Sequence, residues 1–174
     1  INQGFDAIEY INGNLDLASV DEPLLAAKFE SLPVQHTVEA WLALIPKAID
    51  LLSPLSPLQL RDFLLETSMR HAKTGEVIFE KGAAGSSVFA VFSGGIKILI
   101  ETGEDVLEIP MSAGQMFGEV GLISGRPRGS TVVSSESTIL LEIPRTALLK
   151  LMFSQERIKN YVDDLVATRM FSQV

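Results

Sequence analysis

Between residues 68 and 143 the hydrophobic pattern of this 174-residue chain changes period. Val77-Ile78-Phe79 and the runs 88–92, 96–100, 106–109, 131–133 and 138–143 are short and rich in β-branched and aromatic side chains. Turn-forming residues separate them: Gly82 to Ser87, Ser93-Gly94-Gly95 and Thr102-Gly103-Glu104-Asp105. Short strands with a turn every eight to twelve residues or so indicate a β sandwich or barrel.

Both flanks carry helical spacing instead. Phe5, Ile8, Tyr10 and Ile11 fit a short amphipathic turn that Asn12-Gly13-Asn14 ends. Asp21-Glu22-Pro23 predicts a helix start, and Ser31-Leu32-Pro33 its end. Thr37 opens another helix through Trp41, an expected packing anchor, with a kink at Pro46. Ser53-Pro54-Leu55-Ser56-Pro57 punctuates the chain, and Ser56-Pro57 caps a further short helix. Pro144 is expected at the first position of the next helix. A last helix follows Ser154, with Ile158, Tyr161, Val162, Leu165, Val166 and Met170 along one stripe. The expected fold is therefore mainly β with flanking helices. It divides into an acidic helical segment, 1–52, and a domain over 53–174, with the roll at about 68–143 and C-terminal helices at about 144–172.

Composition excludes several chemistries. The chain has no cysteine, so disulfides, thiolate catalysis and cysteine-ligated metal are ruled out. Its two histidines, His36 and His71, cannot build a multi-histidine metal site, and His71 is expected at a strand edge or in the core. Serines lack a nucleophile elbow or a histidine partner, so no catalysis is expected. The net charge of −8 argues against nucleic acid as a partner. Residues 1–50 hold eight acids and two bases, which concentrates the acidic excess in the first third. No apolar run reaches the about eighteen residues of a membrane span. A cytoplasmic location without membrane contact is expected, and the Ile1 start suggests a fragment of something longer.

Residues 114–132 carry the chemistry: Gly-Gln-Met-Phe-Gly-Glu-Val-Gly-Leu-Ile-Ser-Gly-Arg-Pro-Arg-Gly-Ser-Thr-Val. Glycines let backbone amides approach a ligand closely. A short helix from Gly118 would aim free N–H groups at an anion. Arginine offers a planar fork that matches phosphate oxygens, and a carboxylate such as Glu119 accepts from sugar hydroxyls. The pattern suits a small anion that also bears hydroxyl groups.

Phe117-Gly118-Glu119, the apolar Val120-Gly121-Leu122-Ile123 and Pro127-Arg128-Gly129-Ser130-Thr131-Val132 resemble the phosphate-binding cassette of cyclic-nucleotide-binding domains. Gly75-Glu76-Val77-Ile78-Phe79, Gly82, Phe89-Ala90-Val91 and Ser93-Gly94 resemble that family's first strands and turns. The resemblance covers roughly 55–172 and implies an eight-stranded jelly roll holding a 3′,5′-cyclic nucleotide. It implies that Arg128 holds the phosphate oxygens and Glu119 accepts the ribose 2′-hydroxyl. It also implies that Phe117 belongs to the site and that amides at Gly118, Val120, Gly121, Gly129 and Ser130 complete the cradle. The last helix becomes a lid. Ala83 and Gly95 stand where the family often has acids, both at backbone turns. Gly129 lacks the hydroxyl that cyclic-GMP-selective members often carry after the arginine, which points to cAMP, with cGMP the alternative. Arg126 lies off the motif and is expected in solvent.

The resulting expectation is a ligand-sensing module that binds cAMP or cGMP without cofactor or metal and relays it through helix movement to a fused or partner effector. A homodimer through the last helix fits the same reading. The alternative is a degenerate roll that serves docking or dimerisation. A cupin-type metalloenzyme would need clustered histidines that this chain lacks.

Overall fold

The computed structural model describes residues 22–172. The turn expected around Phe5 to Ile11 and the capping Asp21 lie outside the described residues. Helix α1 occupies 22–29 and α2 spans Val38–Ala48. Thr37 caps α2 by accepting from the Ala40 N–H, and Pro46 sits inside the helix. A 3-10 turn, Asp50–Leu52, leads to α3, Pro57–Leu65. Ser56 and Gln59 form a reciprocal capping box there, with Pro57 in the first turn, as the Ser-Pro punctuation predicts.

Eight strands follow. They are β1 Ser68–Ala72, β2 Val77–Phe79, β3 Ser87–Ser93, β4 Gly95–Thr102, β5 Asp105–Ser112, β6 Met116–Phe117, β7 Thr131–Ser134 and β8 Thr138–Pro144. They form two four-stranded sheets, ordered β1-β8-β3-β6 and β2-β7-β4-β5. Every pairing is antiparallel. This is the expected jelly roll. His71 lies on the edge strand β1 and shares a hydrogen bond with Ser137 at 2.8 Å.

Strand β3 shows why its sequence is apolar throughout rather than alternating. Phe89 and Val91 face the roll interior with Ile96, Ile98, Phe117, Val132 and Leu140. Val88 and Ala90 face the other way, into a second core shared with the helices. That second core holds Leu25, Phe29, Trp41, Ile45, Leu60, Leu148, Ile158 and Val162. Trp41 is fully buried, with its ring 4.9 Å from Phe29 and 5.1 Å from Phe92. Helices before and after the roll thus pack on the outer face of one sheet, and a strand buried on both faces needs no polar positions.

Helix α4 spans Glu119–Ser124, α5 Arg145–Ser154 and α6 Glu156–Ser172. Pro144 is the extended residue that precedes α5 and closes β8, one place earlier than the sequence predicts. Ladder pairing with Ser87 holds its backbone in the extended region. Helix α6 packs on α5, on α4 and on the 3-10 turn, which sets it beside the cassette.

Candidate functional site

Phe117 ends β6, and Gly118 then turns the chain with φ of +89° to start α4. A side chain there would be strained, and its Cβ would also meet Arg128 Nη1 at 2.8 Å. Glycine thus does two things: it makes the turn and admits the arginine. Glu119 takes the first position of α4 and is 1% exposed. Its Oε2 accepts from the Val120 N–H at 3.0 Å.

Arg128 is placed by backbone bonds on both sides. Its N–H donates to Ala83 O at 2.9 Å, and its carbonyl accepts from Gly82 N–H at 2.7 Å. The turn after β2 therefore fixes where the arginine starts. Its guanidinium lies 4.2 Å over the Phe79 ring. One terminal nitrogen donates to Gly118 O at 2.7 Å and the other to Ser87 O. Gly85 packs so close that an added Cβ would lie 2.6 Å from the guanidinium carbon. Arg128 is 6% exposed, and its buried Nε has no acceptor among the described residues. Burial pulls the guanidinium below its ordinary pKa, against the pull of Glu119 and Glu142.

Phe117, Gly118, Glu119, Val120, Gly121, Arg128, Gly129 and Ser130 all line one cavity of about 340 Å³. That volume falls within the range of about 300–1,000 Å³ usual for small-molecule sites. Phe79, Ile98, Ile100 and Val132 supply an apolar wall. Arg126 is exposed, as expected, and borders the cavity too.

Sequence reasoning missed Arg169. It reaches from α6, donates to Met116 O at 2.5 Å and pairs with Glu119 Oε1. The side chains are only 9% and 2% exposed. Burial raises the Glu119 pKa, because desolvation outweighs the attraction of Arg169. The missed signal lay in the helix period: Arg169 sits three and four residues after Val166 and Leu165, a charge on the apolar stripe. Met170 beside it also borders the cavity.

Among the described residues no cluster of three or more histidines, cysteines or acids is placed to hold a metal ion. Nor is any described helix long and apolar enough to cross a membrane.

Fold and site together define a jelly roll whose glycine-rich 117–132 segment lines a cavity, with α6 packed beside it. The family model of the cyclic nucleotide-binding domain matches residues 69–155, half of the chain, and the chain belongs to that family. It is 25% identical over 135 residues to a cAMP-dependent protein kinase regulatory subunit of Blastocladiella emersonii, covering 69% of this chain and 34% of that protein. It is 30% identical over 115 residues to a cyclic nucleotide-gated potassium channel of Rhizobium etli, covering 66% and 31%. The chain thus spans about a third of the length of these relatives. The crystal structure of the Thermus thermophilus catabolite activator protein superposes with a TM-score of 0.61 at 25% identity, covering 70% of this chain and 58% of that one.

Proposed function

We propose that this chain is a regulatory, non-catalytic sensor that binds cAMP or cGMP in the cavity and passes its state to an effector through α6. The observation that carries the reading is Arg128: a buried guanidinium whose Nε has no acceptor among the described residues, set against glycine-rich backbone. A buried donor left unmatched costs about 1–3 kcal/mol, and a phosphate oxygen would supply its acceptor. Glu119 would accept the ribose 2′-hydroxyl, and amides of Gly118, Val120, Gly121, Gly129 and Ser130 would hold the remaining phosphate oxygens. Arg169 ties α6 to the carboxylate that meets the sugar. A nucleotide with different affinities for the docked and released positions of α6 would shift their populations. The acidic segment 1–52 would serve as an appendage to the sensing domain over 53–174.

Titration calorimetry with cAMP and cGMP tests this. Micromolar or tighter binding is expected. Loss of a desolvated arginine–phosphate pair in Arg128→Ala should cost about 2–5 kcal/mol, or roughly 30- to several-thousand-fold in affinity. No binding of either nucleotide to the folded chain would leave the docking role in its place.

A further inference from the structure

Lys81 and Glu101 form an ion pair, Nζ to Oε1 at 2.8 Å, on the border of the cavity that Arg128 and Glu119 line. Lys81 follows β2, where its backbone N–H donates to Thr131 Oγ1 at 3.0 Å, and Glu101 lies near the end of β4. The pair therefore closes the rim from both sides of β7. With side chains 56% and 64% exposed, it adds little to stability. It is also separate from the inner charges. Lys81 acts on Glu101, whereas Glu119 and Glu142 act on Arg128. The wall of Ile98, Ile100 and Val132 borders the same cavity and suits a flat ring.

We infer that the Lys81–Glu101 pair reads the edge of the nucleotide base and favours guanine over adenine. The inference rests on the cyclic-nucleotide reading above. With the phosphate at Arg128 and the ribose at Glu119, the base lies along the aliphatic wall and its edge meets the rim. Guanine presents the O6 acceptor beside two donors, N1–H and the N2 amino group. The Lys81 ammonium donates to O6, and the Glu101 carboxylate accepts from both donors. Adenine presents only the N6 amino donor and the N1 acceptor, one group for each side chain. The pair thus matches guanine at three points and adenine at two. It supplies the polar contact that Gly129 cannot, and so opposes the preference for cAMP that the sequence alone indicates.

The test is calorimetric titration of the full chain with cGMP and with cAMP, for the wild type, Glu101→Gln and Lys81→Met. Wild-type protein is expected to bind cGMP about tenfold more tightly, the worth of one charge-assisted hydrogen bond. Glu101→Gln should erase most of that ratio, weakening cGMP about tenfold and cAMP by less than about threefold. Both side chains are exposed, so melting temperatures should stay near wild type and show that the variants fold. A wild-type preference for cAMP, or an unchanged ratio in Glu101→Gln, overturns the base-edge assignment alone. Folded wild-type protein that binds neither nucleotide overturns the cyclic-nucleotide reading beneath it.

Discussion

Arg169 of α6 donates to the carboxylate of Glu119, fifty residues away in sequence, inside a region closed to solvent. The same guanidinium caps the carbonyl of Met116. One side chain thus fastens the last helix to the strand that enters the cassette and to the acid that leaves it. Removing one partner of a buried pair strands the other charge and costs about 3–5 kcal/mol. Arg169→Met should lose stability on that scale near neutral pH in urea denaturation. The loss should shrink below pH 4.5, where the Glu119 carboxyl is protonated and no charge is left stranded. A deficit that is constant with pH would show that Arg169 acts through packing and its bond to Met116 O, not through the charge of Glu119.

The raised pKa of Glu119 gives the wild type its own pH signature. Above the ordinary value of 4.5 the unfolded chain has released this proton while the folded chain still holds it. Folding then takes up a proton, so stability falls as pH climbs from 4.5 through the folded value. This contribution is fully present below 4.5 and lost above the folded pKa. Glu119→Gln does not titrate. The melting temperature of the wild type minus that of Glu119→Gln should therefore decline with rising pH across this window. A difference that rises with pH would mean that pairing with Arg169, not burial, governs the carboxylate.

Gly85→Ala separates affinity from stability. Gly85 lies outside the positive-φ glycines, so alanine brings no backbone strain. Its Cβ would meet the Arg128 guanidinium at 2.6 Å from the carbon and 2.8 Å from Nε. A flexible side chain can move aside, so the melting temperature should change little. The guanidinium cannot stay over Phe79 and keep its bond to Ser87 O. Nucleotide affinity should fall at least about tenfold, some 1.4 kcal/mol. Gly118→Ala, by contrast, should lose both, because the left-handed turn itself costs about 1–2 kcal/mol for a side chain. Equal affinity of Gly85→Ala and wild type would place the phosphate away from Arg128.

The cassette was legible because it is contiguous. Phe117 through Val132 holds the turn glycine, the acid and the arginine within sixteen residues, and local backbone bonds fold them onto one cavity. The pattern of short apolar runs between turn residues also located most strands, β3 included although both its faces are buried. It could not find β6, whose two residues are too few to show a period. That strand exists because tertiary contacts place it, including bonds that tie Gly114 and Gln115 to Val91. Nor could local pattern pair Arg169 with Glu119, since nothing near either residue encodes a contact across fifty positions. The misplaced polar residue on the stripe of α6 was the single trace of it.

Trp41 offers a test of how the helices before the roll are held. Its indole is fully buried, stacked on Phe29 and set edge-on to His36, yet its N–H has no acceptor among the described residues. Trp41→Ala removes the largest side chain of the shared core and should cost about 3–5 kcal/mol in urea unfolding. Trp41→Phe keeps most of the ring contact and deletes the unmatched donor. The loss of volume and the relief of a buried N–H then act in opposite directions, the latter worth about 1–3 kcal/mol. Trp41→Phe should therefore cost well under half as much as Trp41→Ala, followed by far-ultraviolet circular dichroism because the chain has one tryptophan. If both variants cost the same, the indole N–H has an acceptor in solution and its bond, rather than the ring's volume, anchors the helices to the sheet.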